Sequence, residues 1–161
     1  MKTLLTLPLL LLSLVSFHSW SETFDDLVER EGIYYKKFSD VPFTGEVEGI
    51  FQGKFRDGKR EGSWLRFYDS GQMLFKGKYK NGEADGSWVF YYDNGRVSEK
   101  GEYRNGKRDG SWVGYHDNGQ LWRKGAYKNG EEEGRWVYYD DDGTFRKNSS
   151  GVYKDGVKIS D

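Results

Sequence analysis

Gly62-Ser63-Trp64-Leu65-Arg66-Phe67-Tyr68 is a phrase that this chain states four times. It restarts at Gly86-Ser87-Trp88, Gly110-Ser111-Trp112 and Gly134-Arg135-Trp136, each 24 residues after the last. A fixed period of that size marks a repeat array, in which each unit stacks on its neighbours. Within the unit, two aromatic-rich runs of strand length alternate with turn pairs, the pattern of consecutive β-hairpins. Ser70-Gly71 recurs as Asn94-Gly95, Asn118-Gly119 and Asp142-Gly143; Asn81-Gly82 recurs as Asp57-Gly58, Asn105-Gly106 and Asn129-Gly130. Such pairs suit two-residue turns with positive φ at both positions. The expected fold is all-β: antiparallel hairpins joined into one elongated twisted sheet.

If Ser70-Gly71 turns in two residues, facing residues have numbers summing to 141. Trp64 then faces Gly77 and Tyr79 faces Gly62. The next units pair Trp88 with Gly101, Tyr103 with Gly86, Trp112 with Gly125 and Tyr127 with Gly110. A ring lying over a glycine offsets the weakness that glycine brings to a strand. A two-residue turn at Asn81-Gly82 sets Gly77 against Gly86 and Phe75 against Trp88, keeping rings and glycines on one face. That face carries Trp64, Tyr68, Met73, Phe75 and Tyr79 with their equivalents. The other carries Leu65/Val89/Val113/Val137, Phe67/Tyr91/Tyr115/Tyr139 and rows of lysine. The reading predicts that Trp88→Ala costs about 3–5 kcal/mol, and that Gly101→Val crowds the Trp88 ring.

The flanks differ from the array. Met1-Lys2-Thr3 and the apolar run Leu4–Phe17 have the form of a secretory signal over residues 1–21, with cleavage expected after Ser21. The protein is therefore expected in the periplasm or outside the cell. With no cysteine in the chain, disulfides, thiolate chemistry and a lipidated cysteine are excluded. Losing Lys2 with the leader leaves 24 basic residues against 26 acidic, so no basic footprint for nucleic acid is expected. Residues 22–50 are read as an N-terminal cap: a short helix opened by Thr23-Phe24-Asp25-Asp26 with Phe24, Leu27 and Val28 on one side, then a strand at Ile33-Tyr34-Tyr35 and a turn over Ser39–Glu46. The repeat domain is read as residues 51–161, starting with a half unit at Gln52-Gly53-Lys54-Phe55. In its last unit Trp136 should meet Ser149, and the expected glycine comes two residues late at Gly151. An insertion around Lys147–Ser150 therefore implies a bulge or a longer turn.

Gly77-x-Tyr79-x-x-Gly82-x-x-x-Gly86-x-Trp88 resembles the MORN repeat in its bacterial variant form. Together with Leu27–Lys37 and Pro42-Phe43-Thr44-Gly45, it is similar to the YwqK family of toxin–antitoxin antitoxins. The resemblance implies a β-hairpin array serving as a binding or scaffold module, with membrane or protein association. It implies no catalytic residues.

The side-chain inventory argues against an enzyme. His116 is the one histidine left after cleavage, and it stands where other units have Tyr68 and Tyr92, as an aromatic substitute. Ser63, Ser87 and Ser111 repeat structurally with no base beside them. One histidine without cysteine makes zinc improbable, and Asp140-Asp141-Asp142-Gly143 lacks the remaining ligands of a calcium loop. No cofactor is expected. Lys76, Lys100 and Lys124 form one basic row and Lys80, Arg104 and Lys128 another. At the ~10 Å separation of alternate strands, like charges repel by only about 0.4 kcal/mol. Glu61, Asp85, Asp109 and Glu133 form an acidic row, with Lys54 facing Glu61 and Lys78 facing Asp85. The primary reading is a secreted protein-interaction or scaffold module that binds through an exposed aromatic face or an edge strand. Peripheral association with anionic lipid and antitoxin-like neutralisation of a partner protein stand as alternatives.

Overall fold

The computed structural model describes residues 21–161; the segment 1–21 that was read as a secretory signal lies outside the described residues, apart from Ser21. Fifteen strands follow in order: β1 Glu22–Thr23, β2 Leu27–Arg30, β3 Ile33–Lys36, β4 Gly45–Glu48, β5 Phe51–Arg56, β6 Lys59–Phe67, β7 Met73–Lys80, β8 Glu83–Ala84, β9 Gly86–Tyr91, β10 Val97–Arg104, β11 Lys107–Tyr115, β12 Leu121–Lys128, β13 Glu131–Tyr138, β14 Gly151–Lys154 and β15 Val157–Ser160. From β4 onward they form an antiparallel meander in chain order, and β1 adds to β4 in parallel. The strands β2 and β3 make a separate hairpin.

Two kinds of turn link the array. Asp57-Gly58, Asn81-Gly82, Asn105-Gly106, Asn129-Gly130 and Asp155-Gly156 are two-residue turns with both φ values positive. Each turn glycine donates its N–H to a carbonyl in the preceding unit: Gly82 to Arg60, Gly106 to Ala84 and Gly130 to Arg108, at 2.8–2.9 Å. The Ser70-Gly71 class differs from the expected two-residue turn. Only the glycine has positive φ there. Tyr68 N–H donates to the Gln72 carbonyl at 2.8 Å and Gly71 N–H to the Tyr68 carbonyl at 2.9 Å, closing a three-residue loop. Leu74 is then bulged, because Phe67 pairs with Met73 and Arg66 with Phe75. The longer loop and the bulge compensate, so Trp64 pairs with Gly77 and Gly62 with Tyr79. They also move Met73 from the tryptophan face to the Phe67 side.

The Gly-x-Trp phrase is itself a bulge. Lys54 pairs with Glu61 but Gln52 with Leu65, so Gly53 alone stands against Gly62-Ser63-Trp64. In the same way Gly101 stands against Gly110-Ser111-Trp112, and Gly125 against Gly134-Arg135-Trp136. The expected facing of Gly77 with Gly86 and of Phe75 with Trp88 is therefore replaced; Phe75 pairs with Phe90 and Lys76 with Val89. Gly62, Gly86, Gly110 and Gly134 take φ between +72° and +86°, a conformation costly for any other residue. Two extra residues are an even number, so no side chain changes face.

The bulge also decides which glycine each indole covers. A methyl group built on Gly53 would lie 2.3 Å from the Trp64 ring, one on Gly77 2.2 Å from Trp88, one on Gly101 2.2 Å from Trp112 and one on Gly125 2.1 Å from Trp136. Each tryptophan thus rests on the glycine of the strand before it, not on the glycine it was expected to cover. Gly101→Val would crowd Trp112 rather than Trp88. Three indoles also donate to the backbone: Trp88 to Lys78, Trp112 to Glu102 and Trp136 to Ala126, at 3.2, 3.0 and 2.9 Å.

These rings are the core. Phe55, Trp64, Tyr79, Trp88, Tyr103, Trp112, Tyr127 and Trp136 form an unbroken column of edge-to-face contacts, with centroids 4.9–5.9 Å apart. Each such pair adds about 0.5–1.5 kcal/mol beyond area burial. The four tryptophans are 0–4% exposed.

At the N-terminal end, no α-helix forms at Thr23–Asp26. A single 3-10 turn, Phe24–Asp26, is closed by Thr23 N–H and Oγ1 donating to Asp26 Oδ2 at 2.9 and 2.7 Å. The chain then leaves as β2, because Glu31-Gly32 forms another positive-φ turn that pairs Leu27–Arg30 with Ile33–Lys36. Leu27, Phe43 and Val47 bury against Phe55 and Trp64, with Phe24 and Tyr34 packed alongside. In the last unit, Trp136 pairs with Gly151 and Gly134 with Tyr153. The buried Ser150 hydroxyl accepts from Tyr138 N–H at 2.9 Å, anchoring the inserted residues.

Candidate functional site

The tryptophan face has little to offer a partner. Arg60, Arg108 and Arg123 lie over its rings and, with Tyr and Phe side chains, close the column from solvent. Arg60 sits 5.2–5.4 Å from the ring centres of Phe24, Tyr34, Trp64 and Tyr79, and donates to the Tyr79 and Tyr34 hydroxyls at 3.1 Å. Arg108 lies 4.2 Å from the Trp112 ring centre, and Arg123 lies 5.7 Å from that of Trp136.

Between the third and fourth units these arginines join an ion cluster. Glu99 accepts from Arg108 Nη2 at 2.5 Å and also from Arg123; its side chain is 13% exposed and that of Arg123 14%. Arg123 continues to Glu132 at 3.7 Å, and Glu132 accepts from the Tyr138 hydroxyl at 2.6 Å. Burial, with the Glu132 carboxylate, pushes the Tyr138 phenol well above its ordinary range. Gly114 lies between Glu99 and Arg123, and a methyl group there would come 3.1 Å from Arg123 Cγ, so the glycine lets the arginine cross to its partner. The cluster alternates two cations with two anions. It is a neutral girder across β10, β11, β12 and β13, and it has no unpaired charge to present to a ligand. Sequence reading passed over it, although one signal was available: equivalent positions that elsewhere hold rings or small residues turn charged here, as Phe75/Glu99/Arg123 and Arg60/Ala84/Arg108/Glu132.

The loop row is also structural. Tyr68 and Tyr92 hydroxyls donate to the carbonyls of Tyr91 and Tyr115 at 2.8 and 2.7 Å, and His116 Nε2 lies 3.0 Å from the Tyr139 carbonyl. The histidine therefore does what tyrosine does in the other units. In the acidic row, Glu61 accepts from Asn81 N–H at 2.9 Å, Glu133 from Asp155 N–H at 3.2 Å, and Asp109 pairs with Arg104 at 3.6 Å. Among the described residues no group of His, Cys, Asp and Glu is placed to hold a metal ion.

The opposite face remains. Across the strands it reads Leu65, Lys76, Val89, Lys100, Val113, Lys124, Val137, neighbours in one lateral row. The three lysines are exposed, and the aliphatic residues between them are half-buried. Phe67, Tyr91, Tyr115 and Tyr139 form a half-exposed row two residues further along the strands, and Lys76 Nζ lies 5.9 Å from the Tyr91 ring centre. None of Lys76, Lys100 and Lys124 takes part in an ion pair among the described residues, whereas Arg104, Arg108 and Arg123 all do. Lys80, Arg104 and Lys128 are exposed beside the two-residue turns. Of the repeat residues, Gly77, Gly101 and Gly125 lie under the rings of Trp88, Trp112 and Trp136, Tyr79, Tyr103 and Tyr127 stand between the rings of Trp64, Trp88, Trp112 and Trp136, and Gly62, Gly86, Gly110 and Gly134 form the positive-φ bulges.

Comparison with known families agrees with this geometry. Residues 60–81, 84–105 and 108–129 each match the MORN repeat variant, so a MORN-like repeat domain spans residues 60–129. Each matched segment holds one hairpin of the array and one complete Gly-x-Trp phrase. No curated protein matches the chain.

Proposed function

We propose that this chain is a non-catalytic interaction module of the cell envelope, which binds a partner protein through the sheet face bearing Lys76, Lys100 and Lys124. The observation that carries this reading is the division of labour between the two faces. The rings and glycines that recur in phase are consumed in the column, while the opposite face keeps three uncompensated lysines between aliphatic and aromatic rows. Cations at ~10 Å intervals on a firm sheet suit acidic groups on a partner, with the rows beside them supplying apolar contact. The leader supports a periplasmic or secreted location, with residues 22–50 capping the array. Neutralising a partner in the manner of the YwqK-like antitoxins is a special case of the same contact.

The test is recovery of partners from the envelope after crosslinking, with the wild-type chain beside the triple variant Lys76→Glu, Lys100→Glu, Lys124→Glu. The reading expects a defined protein with the wild type and its loss with the variant, at unchanged circular dichroism. Equal recovery by both chains would remove this face from consideration. The exposed lysine row also favours a second reading, attachment to anionic lipid. Its signature is binding to phosphatidylserine-containing vesicles that weakens as salt rises and is lost in the same variant.

A further inference from the structure

We propose that the cavity beside Arg60, where the array meets its N-terminal cap, is a binding site for a carboxylate. The molecule carries the same arrangement in its first and third units, and fills it only in the third. There Arg108 lies over the Trp112 ring and donates to the Tyr127 hydroxyl at 3.3 Å. Both ends of its fork reach the Glu99 carboxylate, at 3.3 and 2.5 Å. In the first unit Arg60, Trp64 and Tyr79 hold the equivalent positions, and Arg60 donates to the Tyr79 and Tyr34 hydroxyls at 3.1 Å. The position of Glu99 is taken by Phe51. Arg60 therefore enters no ion pair among the described residues, and its Nε–H is buried without an acceptor.

The half-buried guanidinium is held by the rings of Phe24, Tyr34, Trp64 and Tyr79 around it. Rings are weaker partners than a carboxylate. The guanidinium fork has more N–H donors than the two used here, and a planar oxyanion matches it with two parallel bonds. With the Phe51 ring, stacked on Phe24 at 4.6 Å, standing in the place of Glu99, a carboxylate has to come by another route. A cavity of about 250 Å³ supplies one, lined by Glu29, Gly32, Tyr34, Lys59, Arg60 and Gly82. Its walls are tied together: Tyr34 N–H donates to the Gly58 carbonyl at 2.8 Å, and Gly82 N–H to the Arg60 carbonyl at 2.9 Å. The site is thus formed before a ligand arrives, which lowers the cost of binding.

Size and charge narrow the ligand. The cavity is smaller than the ~300–1,000 Å³ of a site for a whole small molecule, so it takes one acidic headgroup and leaves the remainder of the ligand outside. Lys59 and Arg60 against Glu29 give the walls one net positive charge. A carboxylate neutralises that charge, whereas a phosphate group, with nearly two negative charges, exceeds it. Glu29 is exposed and enters no ion pair among the described residues, so it weakens the site without filling it. A free organic acid and the end of a protein chain offer Arg60 the same chemistry.

Titration of the purified chain with acetate tests this, followed by nuclear magnetic resonance at the Nε–H groups of Arg60 and Arg108. The Arg60 signal should move along a saturating curve while that of Arg108, which already holds Glu99, stays in place. Glu29→Gln should bind acetate about two- to fivefold more tightly, the effect of removing one exposed like charge. Inorganic phosphate at matched ionic strength should bind more weakly than acetate. A short peptide with a free terminal carboxylate, beside its amide, separates the two sources. Binding tighter than acetate and lost in the amide assigns the end of a protein chain; binding no tighter than acetate assigns a free acid. An Arg60 signal that fails to saturate or moves no further than that of Arg108, tighter binding of phosphate, or a Glu29→Gln variant that binds no better would overturn the proposal. Lys76, Lys100 and Lys124 line no part of this cavity, so either result leaves the reading of the lysine face untouched.

Discussion

At the scale of the residue, the molecule depends on one contact repeated: an indole on bare backbone. The ring of Trp112 occupies the space that any side chain on Gly101 would need, 2.2 Å from where a methyl group would stand. Gly101→Ala should therefore destabilise the chain by about 1–3 kcal/mol, the cost of overpacking a filled core, as read from urea unfolding. Gly119→Ala makes a useful comparison, since nothing lies within 4 Å of a methyl group there and only its φ of +91° resists substitution. The pairing of tryptophan with glycine was legible in the sequence because both recur in phase. Which of its two flanking glycines each ring covers was not. Trp112 has Gly101 on one side and Gly125 on the other, and the choice follows from the left-handed twist of backbone at Gly110, which a count of residues does not reveal.

At the scale of the element, hairpins are joined by more than their ladders. Glu99 on β10 holds Arg108 on β11 and Arg123 on β12, and Arg123 reaches Glu132 on β13. Glu99→Ala leaves two half-buried guanidinium groups turned toward each other, and should cost about 3–5 kcal/mol in the same urea measurement. Glu102→Ala, on the same strand but exposed on the other face, should stay within about 0.5 kcal/mol of the wild type. Sequence reading found the strands and the Asn-Gly turns because their chemistry is local. It missed the ion cluster because those positions differ from unit to unit, and a repeat is recognised by what stays the same. It misread the Ser70-Gly71 class of turn for a related reason: a three-residue loop followed by a bulge at Leu74 returns the strands to the register of a two-residue turn. The expected helix at Thr23 failed because three residues were too few to propagate against the hairpin that begins at Leu27.

At the scale of the whole molecule, four half-buried tyrosines outside the tryptophan column make stability sensitive to alkali. Burial raises the phenols of Tyr34, Tyr92, Tyr138 and Tyr153 above their ordinary value of 10.0, with nearby carboxylates of Glu29, Asp117 and Glu132 adding to the effect. The unfolded chain releases these protons near pH 10 while the folded chain retains them. Their contribution is thus complete below about pH 10 and is lost as the pH climbs beyond it. The melting temperature should fall above that pH, and less steeply in Tyr138→Phe; equal slopes would place the alkaline loss elsewhere. The column from Phe55 to Trp136 also makes the array one continuous body, in which each unit is completed by the strand before it. The most direct test of that claim is a map of nuclear Overhauser effects from the indole ring protons. The account predicts that Trp88, Trp112 and Trp136 report on the α-protons of Gly77, Gly101 and Gly125 respectively. Ring contacts from Trp88 to Gly101 and from Trp112 to Gly125 in their place, or indoles exposed to solvent, would contradict it.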